Sequence, residues 1–479
     1  MQNNLYRRQI LTAIGIAASA LVLPINTQKE PRKKPNFLFL LTDDQRFNTL
    51  HALNNPEVHT PNMDTLVRSG TAFTHAFIMG STNPAVCILS RAMLMTGQSL
   101  FRVNESIVSH EKMSNPAQRP FITFLEVLRH AGYTTFATGK WHNDQALFKR
   151  CFSQGENVFF GGMSDHLKVP VVDYDPSEQY PEQKQRLGNA FSSTLFANST
   201  IKFLREGKSQ GPHLIYVAFT APHDPRMAPK QYLDLYPLEN ISLPTNFMPE
   251  HPFDNGEIHI RDEELVSFPR TPEIVRREIA GYYAMITEVD AQIGRVLTAL
   301  EESGETDNTY IIFSSDNGLA VGQHGLMGKQ NLYDHSVRVP LIICGPGVPK
   351  GKTTDALCYL MDISPTILEL AGQSIPDSIE GKSLVPLLKN QKVRIRDSVF
   401  LAYRNLQRGV RTDRWKLIVY TVGGKKTVQL FDLANDPMEI KNLANEASQA
   451  GRVRELTVLL KQHMQQAGDS LDLDNVTSS

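Results

Sequence analysis

Cysteine is scarce in this chain, and that scarcity excludes a disulfide-built scaffold. Cys87, Cys151, Cys344 and Cys358 are the four thiols among 479 residues, too few to staple a body of this size. Cys344 and Cys358 are the pair open to bridging in an oxidising compartment; free buried thiols are the alternative for these two and for Cys151. An excess of one charge sign is also lacking. Lys plus Arg (49) balances Asp plus Glu (50), and a formal charge of -1 gives no electrostatic reason to expect nucleic acid or an anionic membrane surface as partner. Beyond residue 23 there is no apolar run long enough to span a bilayer, which argues against an integral membrane protein. Internal repeats and low-complexity tracts are missing too. What remains is a globular composition, 41% hydrophobic and 21% charged, long enough for one large domain and a smaller one.

The N-terminus reads as an export signal. Arg7 and Arg8 precede the apolar run Ile10 to Leu23, and Lys29 to Lys34 form a basic lead-in. Residues 1–34 are therefore set apart, and a periplasmic or secreted location is expected. The adjacent arginines loosely match a twin-arginine signal, with a Sec signal or an uncleaved anchor as the alternatives. Ala18-Ser19-Ala20 resembles a cleavage site but lies within the apolar run, so the cut is left unplaced.

From Pro35 onward the pattern alternates strand, loop and helix, as in an α/β domain with a largely buried sheet. Strands are expected at Phe37–Leu41, Tyr133–Thr138, His213–Phe219, Tyr310–Phe313 and Leu341–Ile343. Helices are expected over Phe121–His130 and, with apolar residues at helical spacing, Glu278–Leu300. Val169–Gln185 and Pro237–Pro272 have little periodicity and read as long surface loops, functional or mobile. The texture changes around Gly372–Pro386. Short strands Ser398–Tyr403, Trp415–Tyr420 and Thr427–Phe431 follow, the last two joined by a Gly423-Gly424 turn, and a helix over Ala450–Gln466 closes the chain. The division is 35–375 for the larger domain and 376–479 for an α+β subdomain with antiparallel strands and a terminal helix.

Four of the five strands in the larger domain run into polar clusters: Thr42-Asp43-Asp44, Gly139-Lys140-Trp141-His142, Thr220-Ala221-Pro222-His223-Asp224 and Ser314-Ser315-Asp316-Asn317-Gly318. In parallel α/β sheets the carboxyl ends of strands share one edge, where ligands bind. Residues distant in sequence therefore converge. Asp43, Asp44, Asp316 and Asn317 make an all-oxygen set, suited to Ca²⁺ or Mg²⁺ rather than zinc; taken singly, each pair reads equally as a helix cap or a turn. Lys140, His142, His223, His324 and Lys329 add cationic and acid–base groups. Cys87 precedes a short helical run, Ala92–Met95, closed by Gly97, and a helix N-terminus favours anions and activates a nucleophile. On physical grounds alone a small buried hydrophobe is the better reading of that cysteine.

The run Ala85-Val86-Cys87-Ile88-Leu89-Ser90-Arg91-Ala92-Met93-Leu94-Met95-Thr96-Gly97 resembles the signature of the type I, formylglycine-dependent sulfatases, Cys-x-Pro-Ser-Arg followed by an apolar stretch and Thr-Gly. Thr42-Asp43-Asp44, Gly139-Lys140-Trp141-His142, Ala221-Pro222-His223, Ser315-Asp316-Asn317-Gly318, His324-Gly325-Leu326-Met327-Gly328-Lys329 and Arg338-Val339-Pro340-Leu341 match the same family in its order. So do Leu430-Phe431-Asp432-Leu433, Asp436-Pro437 and Asn442-Leu443 in the C-terminal part. The matches span Asn36 to about Leu443.

The resemblance implies an alkaline-phosphatase-like fold: a mixed, mostly parallel sheet sandwiched by helices, with a smaller C-terminal α+β subdomain. It implies a cation, Ca²⁺ with Mg²⁺ as the alternative, held by Asp43, Asp44, Asp316, Asn317 and the residue at Cys87. Cys87 would be oxidised to formylglycine by a formylglycine-generating enzyme. One oxygen of the hydrated aldehyde, polarised by the cation and Arg91, would attack sulfur, with Lys140 bridging it to a sulfate oxygen. His223 or Lys329 would protonate the leaving alcohol, and His142 would take the proton when the second hydroxyl expels sulfate. The implied substrate is a sulfated carbohydrate. Arg102, Asn104, His166, Arg226 and His324 are candidate substrate contacts on loops near the sheet edge.

One position departs from the signature. Leu89 stands where the family usually has proline, sometimes alanine, and the modifying enzymes read that position together with Cys87 and Arg91. An unconverted Cys87 would leave a non-catalytic binder of sulfated glycans. The enzymatic rival is a phosphonate or phosphate ester hydrolase of the same superfamily, because the anions have similar shapes.

Overall fold

The apolar run that opens the folded part becomes the central strand, Asn36–Thr42, with all seven residues buried. Successive side chains point to opposite faces and feed two separate cores. Phe37, Phe39 and Leu41 pack in one core with Leu89 and Met93. Leu38 and Leu40 pack in the other with Ile279, Tyr282 and Ile286.

The computed structural model describes residues 33–103, 121–177, 180–207, 211–474 and 477–478. The export segment assigned to residues 1–34 falls almost wholly outside these, as does Asn104. The main sheet has eight strands in the order Lys352–Thr354, Thr71–Phe73, Leu341–Cys344, Thr309–Ser315, Asn36–Thr42, His213–Ala218, Thr134–Lys140, Gln154–Phe159. The last five are mutually parallel, so their carboxyl ends form one edge. Leu341–Cys344 runs antiparallel to Thr309–Ser315, which makes the sheet mixed but mostly parallel, the fold class expected from the sequence.

Two helices matter most for the edge. Pro272–Glu302 covers the second core and begins six residues before the expected start at Glu278. Pro272 sits in its first turn, where a missing N–H costs nothing, and Thr271 caps it by accepting from the Ile274 amide at 3.3 Å. The second helix is Val86–Thr96, ten of whose eleven residues are buried. The expectation had Cys87 outside a helix starting near Ala92; instead it lies in the first turn. Gly97, at φ 63°, ends this helix, and its N–H donates to the Met93 carbonyl at 2.8 Å.

All four cysteines are free and buried. The Cys344–Cys358 pairing fails because the two thiols lie in different cores.

The C-terminal part forms a second sheet in which Ser398–Tyr403, Gln407–Thr412, Trp415–Val422 and Lys425–Asp432 are antiparallel. Gln407–Thr412 was not expected as a strand, because Gln407, Arg408 and Arg411 interrupt its apolar pattern. They are buried all the same. The sheet is not antiparallel throughout, nor confined to 376–479: Gly80–Ser81 pairs parallel with Ser398–Tyr403, and Thr477–Ser478 pairs parallel at the other edge. Residues Lys34–Ser479 cluster as one compact unit. The terminal helix spans Ala450–Ala467.

Candidate active site

Sheet register brings the acidic residues together. Thr42 pairs with Ser315 across two parallel strands, so the chain leaves both at one level and sets Asp43 and Asp44 beside Asp316 and Asn317. Asp44 takes a left-handed conformation, φ 67°, and its amide donates to Asp316 Oδ1 at 3.1 Å. Tyr282, from the long helix, donates its hydroxyl to the Asp44 carbonyl at 2.7 Å. The Thr134–Lys140 strand carries an irregularity between Ala137 and Gly139 before delivering Lys140. A side chain at Gly139 would meet the Ala218 carbonyl oxygen at 1.9 Å, so only glycine permits this turn, at φ 90°.

The buried cluster that results is dense. Lys140 Nζ donates to Asp43 Oδ2 at 2.5 Å. Lys329 Nζ donates to Asp44 Oδ1 at 2.8 Å and Oδ2 at 2.9 Å, and to Cys87 Sγ at 3.3 Å. Cys87 Sγ lies 3.4 Å from Asp43 Oδ1 and 3.8 Å from Asp44 Oδ1. Arg91, fully buried, donates Nε to Asp316 Oδ2 at 2.8 Å and Nη1 to the Lys140 carbonyl at 2.5 Å. Its Nη2 has no hydrogen-bond partner and points toward Asp43 Oδ1 at 4.0 Å. His223 Nδ1 faces the Asp224 carbonyl oxygen at 2.9 Å, while Nε2 stands 3.6 Å from Asp44 Oδ2.

The electrostatics follow from crowding charges away from water. Burial, then repulsion from Asp316, pushes the Asp43 carboxyl up to about 7 against the opposing pull of Lys140. Burial acts on Asp44 in the same sense, but Lys329 outweighs it and holds that carboxyl below the ordinary value. Burial raises the Cys87 thiol well above its usual range, so as a cysteine it is a poor thiolate. Burial, Lys329 and Lys140 keep His223 neutral, and burial followed by Lys140 does the same for His142.

Asp43, Asp44, Cys87 and His223 each offer a ligand atom within 4.8 Å of the others and can hold a metal ion. Three details fit a hard divalent cation. Asn317 Oδ1 is buried without a partner while its amide nitrogen donates to Asp44 Oδ1 at 2.6 Å, and half a turn of that amide presents an oxygen to the same point. His223 Nε2 and Asp44 face each other as acceptors once Nδ1 donates to the Asp224 carbonyl. The Asp43–Asp316 repulsion is what a positive ion relieves. His223 thus joins a cluster able to hold an ion, from which the sequence had left it out, and Asp316 borders that cluster, its Oδ2 accepting from Arg91 and its Oδ1 from the Asp44 amide.

The substrate candidates disperse. His324 is buried, stacked on Tyr333 with ring centroids 3.8 Å apart, and Nε2 faces the Glu439 carbonyl at 2.9 Å. It ties the C-terminal part to the main sheet and is not an open substrate arm. Arg226 is largely enclosed too, donating to the Pro222 carbonyl at 2.9 Å and lying over the Tyr282 ring. Its contacts hold the His223 turn. His166 is buried, bonded to Ser192 Oγ at 2.8 Å and to the His223 carbonyl at 3.0 Å. Of the described candidates Arg102 alone is exposed, 3.7 Å from Glu380. Ser90, which donates to the Asp316 carbonyl, went unnoticed as part of the site although it lies within the signature. So did Gln330, next to Lys329.

A family model for sulfatases matches residues 35–373, and one for the C-terminal region of N-sulphoglucosamine sulphohydrolase matches residues 322–467. An arylsulfatase of Clostridium perfringens is 30% identical over 461 residues, covering 89% of this chain and 94% of that protein. An N-acetylglucosamine-6-O-sulfatase of Bacteroides thetaiotaomicron is 26% identical, covering 95% and 91%. A solved structure in complex with its substrate D-glucosamine-2-N,6-O-disulfate superposes with a TM-score of 0.74 at 24% identity, covering 92% of this chain and 99% of the other.

Proposed function

This chain belongs to the sulfatase family of the alkaline-phosphatase-like superfamily and is an enzyme that hydrolyses sulfate esters, and we propose that it releases inorganic sulfate from a sulfated sugar unit with the residue at position 87 as nucleophile. The observation that carries this reading is the placement of Cys87 in the first turn of a buried helix, between Asp43 and Lys329, with the guanidinium of Arg91 turned to the same Asp43 carboxylate. A sulfated sugar is supported by the Bacteroides relative's action on N-acetylglucosamine 6-sulfate groups, as its name states.

The family implies a metal ion and formylglycine. We assign Asp43, Asp44, Asp316 and Asn317 to the ion, with His223 within reach, and favour Ca²⁺ because the donors are numerous and mostly carboxylate oxygen. Bound there, a cation would neutralise charge on the sulfuryl group, and a formylglycine at position 87 would supply the attacking oxygen. The remaining roles fall to the chain's own side chains. Arg91 and Lys140 hold the nucleophilic position against Asp43 and present positive charge to sulfate oxygens. Lys329 carries protons beside that position and is the group for the leaving oxygen. His223, neutral and fixed through Nδ1, turns Nε2 to the ion, and His142, with Nδ1 unpartnered, accepts the proton. Residues 1–34, with Arg7-Arg8 and the apolar run behind them, support export to the periplasm or beyond.

Mass spectrometry of the peptide containing Cys87, from enzyme made in its own host, tests the nucleophile. The expected residue has lost hydrogen sulfide and gained an oxygen, and Cys87→Ala lowers sulfate release by about a thousandfold or more. An unmodified thiol in fully active enzyme ends this reading.

A further inference from the structure

The turn Arg261–Glu264 lies inside the long segment 237–272, and two of its carboxylates, those of Asp262 and Glu263, face inward. Glu263 is buried, with Oε2 accepting from the Met327 amide and Oε1 from the Gly328 amide, both at 2.8 Å. Arg270, itself buried, donates Nη2 to Glu263 Oε2 at 2.9 Å and to the Glu263 carbonyl at 2.7 Å. The next amide, that of Lys329, donates to Gln330 Oε1 at 2.9 Å, and Gln330 Nε2 donates to Asp262 Oδ2 at 2.8 Å and to the Pro84 carbonyl at 3.1 Å. Three successive amides, 327 to 329, are thus held by one turn and its partner glutamine. The approach is close: a side chain on Gly328 would meet Gln330 Oε1 at 2.6 Å and Glu263 Oε1 at 2.9 Å.

From this geometry we infer that Glu263 is the positioning residue for Lys329, holding its backbone so that Nζ sits between Asp44 and position 87, in reach of the leaving oxygen. The inference rests on the sulfatase reading above and deepens it by separating the group that supplies the proton from the group that aims it. As the bond from sulfur to the leaving oxygen breaks, that oxygen keeps the electron pair and takes a proton from Lys329 Nζ. A flexible lysine fixed only at its tip would have to find that geometry in each turnover; one whose own amide and the two before it are bound starts from it. Among ionic groups, a buried carboxylate bonded to two amides and a buried arginine is the kind that holds a single geometry.

The test uses full-length modified enzyme and aryl sulfates whose phenols range from 4-nitrophenol, which leaves unaided, to 4-methoxyphenol, which needs a proton. Loss of a positioned general acid costs most with the poor leaving group. Glu263→Ala is expected to lower kcat about tenfold or more on 4-methoxyphenyl sulfate and about threefold or less on 4-nitrophenyl sulfate, with KM little changed. Lys329→Ala should show the same split, and the double variant should be no worse than Lys329→Ala alone. Glu263→Gln keeps an acceptor for one amide and should fall between; if the alanine variant does not fold, this variant carries the comparison. Equal losses on both esters, or additive losses in the double variant, overturn the inference and leave Lys329's own role standing. Absence of a split in Lys329→Ala overturns both.

Discussion

At the residue scale, Arg91 shows how much one buried side chain organises. Its guanidinium joins Asp316, from one strand end, to the carbonyl of Lys140, from another, and leaves a third nitrogen toward Asp43. A lysine offers a single point charge and cannot fork between these acceptors. Arg91→Lys is therefore expected to lower kcat by about a hundredfold, with Asp316 left short of a buried partner. Steady-state kinetics on 4-nitrophenyl sulfate checks the rate and a thermal melt the fold; near-normal turnover would show that charge alone suffices. Leu89 belongs to this scale as well. It departs from the family signature at a position the structure packs into the core, so what it contributes to the fold is burial.

At the element scale, the long helix Pro272–Glu302 serves both core and site, since Tyr282 reaches Asp44 from it. The same helix carries Glu288, fully buried, which accepts from Thr194 Oγ1 at 3.3 Å. Burial raises its carboxyl from 4.5 to about 7. The folded state therefore binds this proton more tightly than the unfolded chain. The contribution is fully present below the ordinary carboxylate range and is lost as pH rises through about 7. Denaturant midpoints measured from about pH 5 to about pH 8 should fall more steeply for the wild-type protein than for Glu288→Gln. Parallel slopes would show that other groups set the pH dependence. Elements were legible where apolar side chains ran unbroken, as in Phe37–Leu41 or the 279–297 stripe. Gln407–Thr412 was illegible for the opposite reason. Its arginines are buried through partners supplied from elsewhere, Asp469 for Arg408 and Asp334 near Arg411, and no local pattern announces a distant partner.

At the scale of the whole molecule, the second sheet is locked to the first by charge. Lys416, with no exposure, pairs with Asp334 at 2.8 Å and Glu439 at 2.7 Å, and Gln407 Nε2 donates to the Gln330 carbonyl at 3.1 Å, beside Lys329. Lys416→Met would leave two carboxylates buried without their ammonium, a loss of about 3 to 5 kcal/mol. Urea unfolding should show it as an earlier midpoint, and a shift within about 0.5 kcal/mol would mean that Arg411 and Arg338 compensate. The boundary drawn at 375/376 remains a proposal about folding units. A single unfolding transition for Lys34–Ser479, shifted as a whole by Lys416→Met, would argue against it.

The chain's own residue order determined the parallel strands, the acidic and basic clusters behind them and the signature around Cys87, because buried strands need unbroken apolar runs and chemistry needs particular side chains after them. Tertiary structure alone decided which of those side chains meet. His223 entered the cluster able to hold an ion, while His324 and Arg226 were withdrawn into packing. Glu263 arrived from a loop with no periodic signal to reach the Lys329 backbone. The physical reason is that proximity across a sheet edge depends on register, on backbone turns such as those at Asp44 and Gly139, and on buried partners hundreds of residues away, none of which is encoded within a local window of sequence.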